Sequence, residues 1–158
     1  MAKSGTESYT DTNLAYFLLR ATLGINICLH GVSRILQGPG VFANSLAGSF
    51  HKTLLPDWSV HVFGIGLPWI AMLLGGLALF GVFLRLALLG GSLLICLLTF
   101  GSSLIQDWNA VGLQLVYATV YAGLLAFRTK DCLSVDSLRH IADLSSASRF
   151  DLPSRGER

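Results

Sequence analysis

A chain of 158 residues that is 53% hydrophobic, only 13% charged and close to neutral at a formal +2 departs from soluble domains, in which roughly 25% of residues are charged. Its length allows one domain, and its apolar segments lack the charged faces that a water-soluble helix needs, so lipid is the expected solvent. The small positive charge gives no footprint for nucleic acid. Cys28, Cys96 and Cys132, odd in number and without a CxxC pair, argue against a disulfide framework or a thioredoxin-like motif.

Residues 1–13 are polar and read as a frayed segment, with Thr12 or Asn13 capping the first helix through a side-chain oxygen. The first span covers 14–36. It lacks a basic leader region and runs on too far for a cleaved signal, so it reads as a retained span. Gln37-Gly38-Pro39-Gly40 breaks it. In 41–58, Phe42, Leu46 and Phe50 recur every four residues and share a face. This stretch is too short and polar to cross a bilayer, and an interfacial helix is the natural reading. Trp58 and His61 fit an aromatic belt.

The second span covers 60–83, with a kink or break expected near Pro68. A very short turn at Arg85 leads to a third span over 86–104. Gln106-Asp107-Trp108-Asn109 forms a loop, and the fourth span runs 111–127. Each run approaches the roughly 20 residues that cross about 30 Å of hydrocarbon. The expected fold is all-α: an integral membrane four-helix bundle over 14–130, with an interfacial helix between spans one and two. A polar tail follows over 131–158. Val135, Leu138, Ile141 and Leu144 in it give a weak amphipathic helix, and disorder is expected after Ser145. Lys3, Arg85, Arg128, Lys130 and Arg139 fall on one side, against Arg34 and Lys52 on the other, which puts both termini in the cytoplasm.

Glycine recurs through the spans, at Gly24, Gly31, Gly75, Gly76, Gly90, Gly91 and Gly123. Close packing inside one bundle is the first explanation, and contact between copies the second. Cys28 and Cys96 read as small apolar filler.

Polar groups inside lipid must face protein, water or a ligand, so they carry the functional information. Asn26, His30 and Ser33 lie on one stripe of the first helix, with Arg34 a turn beyond His30. Arg20 lies about 15 Å from His30 along the axis and serves a different depth. With no carboxylate inside any span, snorkelling toward the inner surface is its first expectation. His30, Arg34, Asp107, Trp108, Gln114 and Trp69 all belong to the outer level. Gln114, Tyr117 and Tyr121 share one face of the fourth helix. Together they outline a pocket suited to a quinone: imidazole and phenol donate to a ring oxygen, histidine carries the proton of reduction, and Trp69 or Trp108 packs on the ring. The structural alternative is that His30 bridges helices, Arg34 pairs with Asp107 or snorkels, and the tyrosines anchor the interface. No metal site is expected from four scattered histidines with no intramembrane acid.

Arg20-(x3)-Gly24-(x5)-His30-Gly31-(x2)-Arg34 resembles the first-helix signature of the DoxX family. Leu67-Pro68-Trp69-Ile70, the glycine-rich run to Gly81 and Arg85 look like its second helix and turn. Gln106-Asp107-Trp108 and Gln114-Leu115-Val116-Tyr117 look like the start of its fourth helix. The resemblance covers 14–128. It implies a four-helix protein of the bacterial inner membrane, related to subunits of thiosulfate:quinone oxidoreductase. Ala71 stands where members often carry an acid. On that resemblance the protein is a redox subunit handling quinone. His30 donates a proton or hydrogen bond, Arg34 polarises the ring oxygen, and Gln114 and Tyr117 orient the headgroup. A partner redox subunit supplies electrons. A non-enzymatic structural or assembly protein is the alternative. A small-molecule carrier comes third, because no inverted repeat or broken-helix pair is present. Self-association remains open beside these.

Overall fold

The computed structural model describes the backbone of residues 5–130 and side chains from Asp11 to Thr129. The tail from Asp131 onward, with its amphipathic and disordered stretches, lies outside the described residues. Five α-helices follow in order: α1 (Gly5–Leu36), α2 (Pro39–Phe50), α3 (Asp57–Phe80), α4 (Leu84–Leu104) and α5 (Trp108–Ala126). A 3₁₀ turn at Arg128–Lys130 closes the described part. No strand occurs among the described residues. Asp11–Leu36, α3, α4 and α5 are each long and apolar enough to cross a membrane.

Helix α1 starts earlier than its polar N-terminal sequence suggests. Thr12 and Asn13 are inside it and do not cap it. Nothing between Gly5 and Asn13 breaks a helix, and a cap preference of about 1 kcal/mol does not stop one where neither glycine nor proline intervenes. Helix α2 ends at Phe50, short of Trp58, and α3 begins after Pro56. Pro68 interrupts nothing: α3 runs through it, with the ring buried. The α3–α4 turn lies at Gly81–Phe83, and Arg85 is already helical. Gly81 adopts φ 68°, a left-handed conformation that glycine takes without a Cβ penalty.

The four long helices alternate in direction, so the start of α1 and the ends of α3 and α5 share one end of the bundle. The end of α1, all of α2 and the starts of α3 and α5 share the other. Helices α1 and α3 are the most intimate pair. A Cβ placed on Gly24 would lie 2.7 Å from the Leu79 nitrogen, and one on Gly31 would lie 2.5 Å from the Pro68 oxygen. Gly75 meets the backbone of Cys28. Small residues thus bring two backbones together, which is how helices associate where no hydrophobic effect separates lipid from protein. Gly91 makes room for the Tyr121 ring, whereas Gly76 and Gly123 face open space. Cys28 is half-buried, with its backbone against Gly75 in the α1–α3 seam, and Cys96 is exposed on α4.

Helix α2 docks on the first half of α3, with Ala43 fully buried against Gly64 and the Asn44 amide oxygen 3.0 Å from His61 Nε2. Along α4, the hydroxyls of Ser92, Thr99 and Ser103 each donate to the carbonyl four residues back, so these polar groups are satisfied within their own helix.

At the end away from α2, Arg20 is only 1% exposed. It does not snorkel. Its guanidinium donates to the Ala78 carbonyl at 3.3 Å and lies 5.5 Å from the Phe17 ring centroid. The cause is the way α3 ends. Both Gly81 and Val82 direct their N–H groups at Leu77 O, and Ala78 lies in the last turn, where carbonyls lack intrahelical donors and attract cations. One turn away on α1, the Tyr16 hydroxyl donates to Leu124 O at 3.1 Å, in the last turn of α5.

Candidate functional site

Two adjoining cavities occupy the α2 half of the bundle. The smaller, about 240 Å³, lies between α1, α3, α4 and α5, and His30, Arg34, Gln114, Tyr117 and Tyr121 supply its polar groups. The larger, about 460 Å³, lies under α2, and Arg34, Ser49, Ser59, Ser102, Asp107 and Gln114 line it together with many apolar side chains. Arg34, Leu67, Leu98, Ala110 and Gln114 border both.

The expected stripe on α1 and the expected face of α5 therefore converge. Asn26 stands on the stripe as well, and its Oδ1 accepts from the Tyr117 hydroxyl at 2.9 Å. That bond spans α1 and α5, the most loosely packed neighbours among the four long helices. Ala71 is buried on the wall of the smaller cavity.

Three polar side chains at this site have hydrogen-bonding groups unmatched among the described residues. The Arg34 guanidinium sits 4.4 Å from the Phe42 ring centroid, a cation–π contact. Among the described residues, no carboxylate or carbonyl answers its N–H groups. Likewise, no described group hydrogen-bonds the His30 imidazole, which is exposed along the seam. Gln114 donates through Nε2 to Ser102 Oγ at 2.9 Å, while its Oε1 is buried with no donor in reach. A buried acceptor left in this condition costs about 1–3 kcal/mol.

Asp107 lines the larger cavity but does not pair with Arg34. Its Oδ1 accepts from Ala110 N at 3.1 Å and caps α5. Its neighbour Gln106 turns the chain at φ 59°. Trp69 and Trp108 border neither cavity and are 51% and 67% exposed. The reason is helical phase: Trp69 lies about 200° around α3 from Leu67, which lines both cavities. These indoles face outward, where tryptophan suits a membrane interface.

Sequence reasoning passes over Ser102 and sees Phe42 only as part of an amphipathic face. The Phe42–Leu46–Phe50 period does report the cavity wall, since all three line the larger cavity. Ser102 carries no signal of its own, because its role follows from where α5 places Gln114. Comparisons with family models, with curated proteins and with solved structures find no match to this chain.

Proposed function

We propose that this protein is a DoxX-like membrane subunit of a redox system and handles quinone in the cavity bordered by His30, Arg34, Gln114 and Tyr117. The observation that carries the reading is the unmatched polarity of that site. Arg34 and His30 offer donors, and Gln114 Oε1 offers a buried acceptor, on walls that are otherwise mostly apolar. A quinone oxygen accepts from the first two, and a quinol hydroxyl donates to the third. In this reading a quinone takes two electrons from a partner subunit and two protons, one of them through His30, and leaves as quinol. Thiosulfate as the electron source rests on the family resemblance alone. The same resemblance places the chain in a bacterial inner membrane, and the basic residues at the α1-start end favour cytoplasmic termini.

The test is purification from native membranes in mild detergent with mass spectrometry of what accompanies the protein. Stoichiometric quinone and a redox partner are expected, and His30→Ala should lose the quinone while keeping folded protein. Phospholipid alone, with no partner, overturns the reading. A structural or assembly role is the second reading, favoured by the Tyr117–Asn26 bond, which ties helices together without any ligand. It makes His30→Ala harmless to everything that co-purifies.

A further inference from the structure

We infer that the larger cavity is the tail lobe of the same site, so that the ligand is a long-tailed amphiphile that enters sideways from the bilayer between α3 and α4, beneath α2. The inference rests on the quinone reading for the identity of the head, and its own content is the position of the tail.

Continuity is the first support. The side chains that divide the two cavities are Arg34 and Gln114, the polar ones, together with Leu67, Leu98 and Ala110. A head held by Arg34 and Gln114 therefore touches both spaces at once. The second support is the wall chemistry. Away from that junction most of the larger cavity's wall is apolar, with Phe42, Leu46 and Phe50 from α2, Phe63 from α3 and Leu97 from α4. Its polar side chains there, Ser49, Ser59, Ser102 and Asp107, are each already engaged in hydrogen bonds within the protein. Such walls repay burial of hydrocarbon and offer little to a hydrated solute.

The third support is the opening. Leu97 and Phe100 line the cavity and are also 50% and 58% exposed on the outer side of α4. The cavity thus reaches a surface that faces lipid, and a chain too long for about 460 Å³ can continue into the bilayer there. In this arrangement α2 is the roof of the lobe, which accounts for the inward face of Phe42, Leu46 and Phe50. It also separates the tail path from the Asn26–Tyr117 seam, on the α1–α5 side of the bundle.

The experiment measures binding of two quinone probes, one with an isoprenoid tail and one without, to the full chain in lipid nanodiscs. Leu97→Trp narrows the opening. Leu93→Trp puts the same bulk on the same helix at a side chain 70% exposed and off the cavity wall, and serves as the control. Leu97→Trp should weaken the tailed probe by about tenfold or more and leave the tailless probe within about twofold, with Leu93→Trp affecting neither. If Leu97→Trp weakens both probes equally or neither, while Arg34→Gln still weakens the tailless probe, the tail lobe is wrong and the quinone site stands. If the tailed probe responds to Leu97→Trp but neither probe responds to Arg34→Gln or Gln114→Leu, the lobe stands and the quinone head assignment fails.

Discussion

Helix α1 carries two arginines inside the span region, and the bundle treats them in opposite ways. Arg20 is enclosed, and the Ala78 carbonyl at the end of α3 accepts from it. Among the described residues Arg34 is held by the Phe42 ring alone, and it looks into two cavities. A cation in an apolar setting must be answered. At one end the answer is a helix terminus. At the other, no carboxylate or carbonyl among the described residues answers it. The first end holds helices together, and the second is where we propose that a ligand binds.

That contrast can be broken by exchange of effects. The largest loss should come from neither arginine but from Gly31→Leu. It drives a side chain into the α3 backbone at Pro68 and Met72, costs about 3 kcal/mol or more, and should eliminate monodisperse protein on gel filtration in detergent. Arg20→Leu comes next. Losing a hydrogen bond from a charged donor to a helix-end carbonyl costs about 1.5–3 kcal/mol, visible as a lower thermal midpoint with ligand binding retained in the surviving fold. Arg34→Gln should invert that pattern. Its stability loss is limited to the cation–π contact, under about 1 kcal/mol, while retention of bound quinone falls about tenfold. Equal stability losses for the two arginine variants would remove the distinction altogether. Smallest are Tyr16→Phe and Asp107→Ala, each about 1 kcal/mol. Asp107→Ala should act through the start of α5, so amide exchange should rise near Ala110 and stay unchanged near Leu124.

The fold was largely legible because hydropathy reports lipid contact directly, and each span was placed within a few residues except at the start of α1. Asn26 and His30 on the α1 stripe, Arg34 a turn beyond, and the face Gln114–Tyr117–Tyr121 were also legible, because all are matters of helical phase, whereas Ser33, set on the same stripe, borders neither cavity and accepts from Gln37 Nε2. Arg20 was not. Its acceptor is a backbone carbonyl, and no side-chain pattern marks one. The only trace in the sequence is Gly81, whose left-handed cap turns two N–H groups to Leu77 and leaves Ala78 to others. The tryptophans were misplaced because depth was considered and phase was not. Trp69 has the right height on α3 and the wrong side. Asp107 was set in the pocket by its level in the membrane, whereas its position just before a helix made capping its nearest occupation.

The loose α1–α5 seam bears on how the protein is made. Helices α1 and α3 interlock through their glycines, with α2 docked beside them, and every residue of that unit leaves the ribosome before α4 does. Synthesis proceeds from the N-terminus and lets early units fold first, so the α1–α2–α3 unit can settle in the bilayer while the rest is still being translated. Helices α4 and α5 then arrive as a hairpin, and the ring of four long helices closes last at its loosest seam, through Tyr117 to Asn26 and Tyr16 to Leu124. A chain cut in the α3–α4 turn and expressed as two pieces should therefore reassemble, with the first piece stable enough to wait for the second.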